Sequence, residues 1–439
     1  MPAASSSASA RVVVDPETYF EQNKPPKNLP WAEQQLSAFI AKHAAVKGRR
    51  MVLITSGGTA VPLENQTVRF VDNFSAGTRG ASSAEHFLEY DSHDNKEEDV
   101  SYAVVFLHRE RSLQPYSRHY PHTGHCFLNY VRVEESTGSL LIDESEAAKM
   151  RAVVTKYHKA MDNGRLLSIP FHTLSDYLFL LRAATTAIAP TFGPRSLFYL
   201  AAAVSDFFIP APRMAEHKIQ SSAGGLTLTM DQVPKFLGPL VHKWAGDGFI
   251  VSFKLETDPD MLVPKARQAL LKYGHHLVIG NLLQTRKNSV SLISRRSFPM
   301  HTPATSPGGS PRHSPKPSQG NIPSSLTSTS VVAATGAVDA SVPTSSRSYD
   351  ASLADAPRAV SPAVAALPGL QDSRISDDSQ WATSHIVLGN KEIEQTRRNH
   401  NKSDGEGEDD REIEFFIIHE LVERHSTFLH GRQPPSPSE

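Results

Sequence analysis

Residues 51–88 read MVLITSGGTAVPLENQTVRFVDNFSAGTRGASSAEHFL. The apolar run Met51–Ile54 leads into a Thr-Ser-Gly-Gly-Thr turn, which is typical of a central parallel strand ending in a turn rich in free backbone groups. Because open α/β sheets bind ligands outside the carboxyl ends of their strands, this turn is expected to face a ligand. The stretch therefore predicts both the fold and the position of a site.

A second glycine turn follows and opens a helix. Residues 73–80, NFSAGTRG, precede Ala81–Leu88, whose alanine content and apolar spacing favour a helix with one apolar face. Gly77 and Gly80 leave backbone N–H groups free at the start of this helix, where the helix dipole favours an anion. The spacing is neither G-x-G-x-x-G nor a P-loop, so we predict a phosphate site of another type.

The composition excludes several classes of function. Lys+Arg number 45 and Asp+Glu number 46, so no global basic field predicts nucleic acid or an anionic membrane as partner. The single cysteine, Cys126, rules out an intrachain disulfide framework and fits a reducing compartment. No apolar run approaches the roughly 18 residues of a membrane span, and the Ser-rich start lacks signal-peptide features. We expect a cytoplasmic protein, with the nucleus also possible.

Strands alternating with helical patterns predict an α/β fold, with a Rossmann-like, mostly parallel sheet and helices on both faces. Residues 127–133 and 139–142 predict a small β-hairpin. From 295 to 380 the chain is rich in Ser, Pro, Thr, Ala and Gly and cannot bury enough apolar surface, so we predict a disordered insert. The predicted organisation is a disordered tail (1–14), an α/β domain (15–294), the insert (295–380), a C-terminal strand and helix completing the domain (381–430), and a tail (431–439).

Polar residues at other predicted strand ends are further site candidates. The run Leu197–Asp206, LFYLAAAVSD, predicts a strand that carries Asp206 to the same edge as the first glycine turn. The alternative is a helix cap or turn aspartate. The three alanines favour the site, because small side chains let a ligand lie against the backbone.

Two lysines and two strand residues have alternative interpretations. Lys218, in a polar loop, and Lys254, at a strand end, are either solvated or supply positive charge to an anion. Phe253 either stacks on a base or belongs to the core, and Asn281 either hydrogen-bonds a base or ribose or is a turn residue. The histidines of residues 108–126 lack C-x-x-C or H-E-x-x-H spacing, so no protein metal site is predicted.

Long strings of this sequence resemble a known family. Residues 56–85, SGGTAVPLENQTVRFVDNFSAGTRGASSAE, resemble the N-terminal signature of phosphopantothenoylcysteine synthetase, the ligase that joins phosphopantothenate to cysteine in coenzyme A biosynthesis. Residues 199–222, YLAAAVSDFFIPAPRMAEHKIQSS, and 249–281, FIVSFKLETDPDMLVPKARQALLKYGHHLVIGN, are similar to its eukaryotic, monofunctional form. The resemblance covers about residues 15–294, with a weaker echo near the C-terminus.

The resemblance implies roles for individual residues. The nucleotide-binding positions are Gly57, Ser75, Gly77, Gly80, Phe253, Asn281 and Lys218. The phosphopantothenate-binding positions are Arg69, Asn73, Ala202, Ala203 and Asp206. Given the implied reaction, our hypothesis is that Asn73, Asp206 and Lys254 are catalytic, with Lys254 a candidate because of its strand-end position. Only Lys218 remains of a lysine-rich motif in bacterial relatives, which leaves open which lysine contacts the phosphates. Arg69 matches a position that reaches across from a partner subunit, so the resemblance implies a homodimer, with the hairpin as its dimerisation element.

The implied reaction uses ATP, or alternatively CTP, as co-substrate with Mg²⁺. The acid is converted to an acyl nucleotidylate, and the amine of L-cysteine then displaces the nucleotide. Other functions stay open: a non-catalytic nucleotide-binding regulatory or scaffold subunit, or an enzyme that adenylates another phosphorylated acid. A dinucleotide oxidoreductase is disfavoured because its glycine fingerprint is absent.

Overall fold

The computed structural model describes residues 15–90, 100–120, 127–221, 224–296, 373–388 and 411–431. The strands are β1 (Arg49–Ser56), β2 (Ala60–Pro62), β3 (Phe70–Asp72), β4 (Ser101–Arg109), β5 (Val131–Val133), β6 (Leu140–Ile142), β7 (Leu166–Phe171), β8 (Ser196–Leu200), β9 (Phe207–Phe208), β10 (Asp231–Gln232), β11 (Phe249–Glu256), β12 (Leu277–Leu282), β13 (Ser289–Arg295) and β14 (Trp381–Val387). The α-helices are α1 (Pro16–Gln22), α2 (Leu29–Ala44), α3 (Thr78–Glu89), α4 (Glu144–Asp162), α5 (Leu174–Phe192), α6 (Leu237–Pro239), α7 (Pro259–Tyr273), α8 (Ser373–Ser376) and α9 (Ile413–His430), and a π-helix at Leu240–Trp244 follows α6.

Eight strands form one sheet in the order β14-β13-β12-β11-β8-β1-β4-β7. The pairs β12–β13 and β13–β14 are antiparallel and the others are parallel. The predicted mostly parallel α/β sheet is therefore confirmed. β1 lies between β8 and β4, and the chain continues to opposite sides of it, which makes the carboxyl end of β1 a topological switch point.

Helices cover both faces of the sheet, as predicted. Side chains alternate along β1, so Met51 and Leu53 join the core beneath α2 and α5, while Val52 and Ile54 join the core beneath α3 and α9. Residues buried on both faces of a sheet are mostly apolar, which explains the apolar run Met51–Ile54 in the middle of β1. No helix among the described residues is long and apolar enough to cross a membrane.

Three short hairpins stand outside the main sheet: β2–β3, β5–β6 and β9–β10. The second confirms the predicted hairpin, although its strands are shorter than expected because residues 127–130 form a 3₁₀ turn. The first joins the two glycine turns, since β2 follows Gly58 and β3 leads to Asn73.

The strand predicted at Leu197–Asp206 is shorter than expected, and this is a correction. β8 ends at Leu200. From there the backbone leaves the ladder, because the N–H of Ala202 donates to the side chain of Thr55 in β1, at 3.1 Å to Oγ1, instead of to a backbone carbonyl. Asp206 consequently lies in the loop beyond the strand. Pro264 predicts a kink or a later start of the helix after Asp258, but α7 begins at Pro259 and includes Pro264.

The range predicted as an insert reaches described residues at both ends. Arg295 is the last residue of β13, whereas 373–376 form α8, whose Ile375 is buried beside Trp381 of β14. Residues 386–388 of the sequence predict the C-terminal strand, which in the structure begins earlier, at Trp381. The rest of the predicted insert and both predicted tails, apart from Gly431, lie outside the described residues. The predicted C-terminal helix is confirmed as α9.

Candidate active site

The turn at the end of β1 depends on two glycines. Gly57 has a φ of +85°, in the left-handed region, and a Cβ added there would lie 2.5 Å from the Cβ of Arg109. A Cβ on Gly58 would lie 1.6 Å from the carbonyl oxygen of Asn73. The loop bearing Asn73 therefore lies directly on the turn, and the N–H of Asn73 donates to the carbonyl of Thr59 at 3.1 Å.

The second glycine turn packs α3 against the same strand end. Gly77, with a φ of +83°, is the N-cap of α3, and no side chain caps the helix there. A Cβ on Gly80 would lie 2.4 Å from Ser56 Oγ, so only glycine lets the helix come this close. Ser56 Oγ in turn donates to the Gly77 carbonyl at 3.1 Å. The positive end of the α3 dipole thus faces the switch point, as an anion site requires.

The loop after β8 completes this layer. The N–H of Ala203 donates to the Gly57 carbonyl at 2.8 Å, and the N–H of Thr59 donates to the Ala203 carbonyl at 3.1 Å. The N–H of Ala202 is held by Thr55, as described above. The structure therefore brings Gly57, Ala202 and Ala203 together through direct backbone contacts. Thr55 and Thr59 were missed by the sequence analysis, although their position on either side of Ser-Gly-Gly was a usable signal.

Asp206 is exposed and has a partner that was not predicted. Its Oδ1 lies 3.6 Å from the Nζ of Lys235, and the side chains are 76% and 45% exposed. The hairpin β9–β10 brings the two together, since the N–H of Val233 donates to the Asp206 carbonyl at 2.9 Å. An ion pair this exposed contributes little to stability, so both groups can turn to a ligand. Lys235 follows a proline in an apolar context and gave no sequence signal.

Phe253 lies on the α3 face of the sheet. Its half-buried ring packs edge-on against Tyr199 at 4.9 Å between centroids. The Tyr199 hydroxyl contacts Ser83 Oγ of α3 at 2.9 Å, and burial raises the pKa of Tyr199, so the phenol is neutral. Phe253 therefore packs against a neutral, hydrogen-bonded ring.

Asn281 is buried, and both ends of its amide are engaged. Its Oδ1 accepts a hydrogen bond from Arg79 at 3.3 Å, and its Nδ2 donates to the Ile279 carbonyl at 3.3 Å. Arg79, in the first turn of α3, also pairs with Glu414 of α9 at 2.8 Å. Burial raises the pKa of Glu414, and the charge of Arg79 opposes that rise. Arg79 and Glu414 were both missed; Glu414 lies far along the chain and had no detectable signal.

Lys254 lies apart from Phe253. Neighbouring residues of a strand point to opposite faces, so Lys254 is on the α7 face of β11. Its Nζ lies 3.5 Å from Glu256, which also binds the Nζ of Lys265 at 2.8 Å. The two lysines share one carboxylate at the strand end. Lys265 is a further cation that the sequence analysis did not single out.

Arg69 and Lys218 lie on two segments that dock against each other. Arg69 NH1 lies 2.9 Å from Glu64 Oε1 and donates to the Ile219 carbonyl at 3.1 Å, within the same chain. The side chain of Arg69 is still 37% exposed. Lys218 is exposed beside Ile219, in the loop that follows β9. The contact between Arg69 and Ile219 thus brings the loop that carries Lys218 beside Arg69.

A buried ionic network fixes α3 from behind. Glu85 of α3 binds Arg118 Nε at 2.8 Å and contacts His119 Nε2 at 3.0 Å. Arg118 NH1 also reaches Glu412, just before α9, at 2.7 Å, and Ser82 of α3 donates to the same carboxylate. Burial raises the pKa of Glu85, but the hydrogen bonds from His119 and Arg118 outweigh it and leave the pKa below its ordinary value. The helix that carries the anion site is therefore held by ion pairs on both sides.

Known proteins are similar to this chain in sequence and in structure. Residues 183–306 match the family described as DNA/pantothenate metabolism flavoprotein C-terminal domain. The chain is 44% identical over 288 residues to phosphopantothenate–cysteine ligase from Homo sapiens. This match covers 65% of this chain and 87% of that protein. It is 44% identical over 299 residues to phosphopantothenate–cysteine ligase CAB2 from Saccharomyces cerevisiae, covering 63% of this chain and 77% of that protein.

A solved structure of a Cab2 mutant in complex with phosphopantothenate-cysteine is 33% identical to this chain. The match covers 95% of this chain and 100% of the solved chain, with a TM-score of 0.64. The sequence comparison and the structure comparison therefore point to the same family of proteins. The chain belongs to the phosphopantothenate–cysteine ligase family, the ligases of coenzyme A biosynthesis.

Proposed function

We propose that the chain condenses 4′-phosphopantothenate with L-cysteine at the expense of a nucleoside triphosphate, which we take to be ATP. The products are 4′-phosphopantothenoylcysteine, AMP and pyrophosphate. The observation that carries this proposal is the layer of backbone contacts joining Gly57, Asn73 and Ala203 beside the open start of α3. The open start of α3 offers N–H groups to a phosphate, and the layer beside it offers a flat surface to an acid at the same edge of the sheet.

In the first half-reaction, a carboxylate oxygen of phosphopantothenate bonds to the α-phosphorus of ATP. The bond from that phosphorus to the bridging oxygen breaks, and pyrophosphate leaves with the electron pair. Two anions must approach, so fixed N–H dipoles and cations are required. We assign the N–H groups to the turns of Gly57, Ser75, Gly77 and Gly80. The side chain of Lys254, at the strand end, is assigned to the phosphates.

In the second half-reaction, the amine of cysteine attacks the acyl carbon, and AMP departs with the carbon–oxygen bond pair. Negative charge grows on the acyl oxygen, and the amide of Asn73 can donate a hydrogen bond to it without forming a competing ion pair. Asp206 is assigned to the pantoate hydroxyl or amide. Its partner Lys235 keeps a cation 3.6 Å from Asp206 Oδ1.

Nucleotide choice is assigned to the α3 face. Phe253 offers a ring edge supported by Tyr199, and Asn281 offers an amide whose orientation is set by Arg79. Because Arg79 holds Oδ1, the amide cannot rotate freely, and a base or ribose meets a defined donor and acceptor pattern. We propose ATP over CTP on the family resemblance and assign discrimination to these residues.

Magnesium is proposed to arrive with the nucleotide. Among the residues that the structure describes, no group of three or more His, Cys, Asp or Glu side chains could hold a metal ion. Mg²⁺ commonly binds through substrate phosphates and waters with one or two protein carboxylates, so the phosphates of the nucleotide are proposed as its main ligands. When bound, the ion supplies charge neutralisation of the phosphates.

A homodimer is also proposed. The hairpin β5–β6 and the turn before it expose large apolar side chains: Phe127, Leu128, Val133, Leu140, Leu141 and Ile142. Soluble monomers rarely expose contiguous apolar patches of this kind, so a second copy of the chain is the proposed cover. Sedimentation of the purified chain at several concentrations tests this, and a monomer at every concentration would contradict it.

The experiment that tests the proposed reaction measures pyrophosphate release by the purified chain. Mg-ATP and phosphopantothenate are supplied with and without L-cysteine, and the series is repeated with CTP. Sustained release that requires both acid and cysteine is the expected result, and the ratio of the ATP and CTP rates ranks the nucleotides. No release from a folded protein that still binds ATP would instead favour a non-catalytic regulatory or scaffold subunit.

A further inference from the structure

Glu64 is a fully buried carboxylate between the glycine turns. Its side chain has no exposed surface, yet it lies in a stretch whose neighbours, residues 65–68, are exposed. Both oxygens are occupied. Oε2 accepts the N–H groups of Val68 at 3.3 Å and Arg69 at 3.1 Å, and Oε1 accepts Arg69 NH1 at 2.9 Å and the N–H of Ile219 at 3.4 Å.

These contacts join two segments that are 150 residues apart in the chain. Around the carboxylate, the N–H of Asn65 donates to the Ala215 carbonyl at 2.8 Å and the N–H of Gln66 donates to the Glu216 carbonyl at 3.0 Å. Asn65 Nδ2 also donates to Glu216 Oε2 at 2.9 Å. Glu64 is therefore the buried centre of a junction whose outer surface carries Arg69 and Lys218.

The charge of Glu64 follows from its donors. Burial by itself raises the pKa of a carboxyl, but the N–H groups of Arg69, Val68 and Ile219 and the Arg69 guanidinium outweigh burial and hold the pKa of Glu64 below its ordinary value. The group is thus an anion at neutral pH. It binds one nitrogen of a guanidinium that has five N–H donors in a rigid fork, so the rest of the fork can face a second anion.

We propose that Glu64 is a positioning residue that orients Arg69 toward the phosphate of the acid substrate and holds the Lys218 loop beside it. The proposal rests on the function proposed above, in which Arg69 binds phosphopantothenate. Glu64 touches no substrate in this scheme. It aims the guanidinium in the same way whether Arg69 serves its own site or that of a second copy of the chain.

A purely structural role for Glu64 predicts something different. Loss of the carboxylate would then loosen the junction and lower stability, without a selective effect on one substrate. A positioning role predicts a selective rise in the KM for the phosphorylated acid. It also predicts that Glu64 and Arg69 act as one unit, so that their substitutions are not additive.

The test compares Glu64→Gln, Arg69→Ala, the double variant and a control, Glu216→Gln. The control removes a carboxylate from the same junction, at Asn65, without touching Arg69. For Glu64→Gln the KM for phosphopantothenate should rise about tenfold, the effect of weakening one charge-assisted hydrogen bond, while kcat and the KM for cysteine change little. The double variant should be no worse than Arg69→Ala, and Glu216→Gln should match the wild type.

The outcomes separate this inference from the proposed function. Wild-type protein without substrate-dependent pyrophosphate release would refute the proposed function itself. An active wild type in which Glu64→Gln leaves the KM unchanged, or multiplies the effect of Arg69→Ala, would overturn the role of Glu64. An Arg69→Ala variant with a normal KM for phosphopantothenate would also overturn the role of Glu64.

A second variant covers the case in which Glu64→Gln does not fold. Arg69→Lys keeps the charge and leaves the three backbone donors to Glu64 in place. A single ammonium is captured by the buried carboxylate, so the KM should rise as far as in Arg69→Ala. Retention of wild-type KM by Arg69→Lys would show that Glu64 does not direct the cation, and would overturn the proposal.

Discussion

Gly80→Ala is the sharpest perturbation of the anion site, because the substitution adds one methyl group at a contact that has no room. The new Cβ would lie 2.4 Å from Ser56 Oγ and 2.5 Å from Ser56 Cβ, whereas ordinary contacts begin at 3.4 Å. The start of α3 must therefore move by about 1 Å away from the end of β1, the gap between 3.4 Å and 2.4 Å. Gly80 does not have a left-handed φ, so the effect is one of packing alone.

A displacement of this size at a reacting centre costs about 100-fold in rate. Overpacking of this kind also destabilises a fold by about 1–3 kcal/mol, so a fall in unfolding temperature accompanies the loss. The assay is pyrophosphate release under saturating phosphopantothenate, with ATP varied, alongside thermal unfolding. We expect the KM for ATP to rise and kcat to fall, because the N–H groups of the first turn no longer meet the phosphates.

Two further variants separate packing from other causes. Gly225→Ala is the matched control, since a Cβ there meets nothing within 4 Å, and it should be neutral within about 0.5 kcal/mol. Replacing Ser56 by Gly in the Gly80→Ala background leaves Ser56 Cα at 3.2 Å as the nearest atom, so part of the ATP dependence should return. Wild-type kinetics in Gly80→Ala, or no rescue in the double variant, would refute this explanation of the turn.

Three further results are expected. Asn73→Ala should slow amide formation by about 100-fold or more and nucleotidylate formation less, as rapid-quench analysis of the two half-reactions would show; equal losses would exclude the role at the acyl oxygen. Lys235→Ala should raise the KM for phosphopantothenate but change stability by no more than about 1 kcal/mol, because its ion pair with Asp206 is exposed, and an unchanged KM would remove it from the site. The pKa of Glu85 is lowered because hydrogen bonds from His119 and Arg118 outweigh burial. Its contribution to the stability of the fold is therefore fully present above the ordinary pKa of 4.5, and it is lost as the pH falls through the lower pKa of the folded protein. Arg118→Ala should cost about 3–5 kcal/mol at neutral pH and less in acid, and an acid dependence of unfolding like that of the wild type would contradict this.

The sequence predicted those parts of the fold that depend on local patterns. The apolar run before Gly57 could only be a strand buried on both faces, and β1 is one. The alanine-rich stretch after Gly80 predicted α3. In each case the neighbouring residues carry enough information, because burial and backbone freedom depend on side-chain type.

Contacts between distant segments could not be predicted in this way. The sequence predicted that β8 ends at Asp206, but the strand ends at Leu200, because the side chain of Thr55, on another strand, accepts the N–H of Ala202. Nothing in the stretch around Ala202 indicates that competition. Likewise, Asn281 appeared as a strand-end amide, but its orientation depends on Arg79, which is itself held from α9.

The C-terminal helix therefore belongs to the site as much as the glycine turns do. Glu414 of α9 pairs with Arg79 in the first turn of α3. Glu412, just before α9, pairs with Arg118 and accepts a hydrogen bond from Ser82, in the next turn of α3. These pairs are largely buried, so losing one partner would leave a charge without compensation inside the protein. An anion site at a helix start works only if that start is rigid, since a 1 Å shift removes its hydrogen bonds. The glycines let α3 approach β1, and the acidic start of α9 prevents it from moving away again.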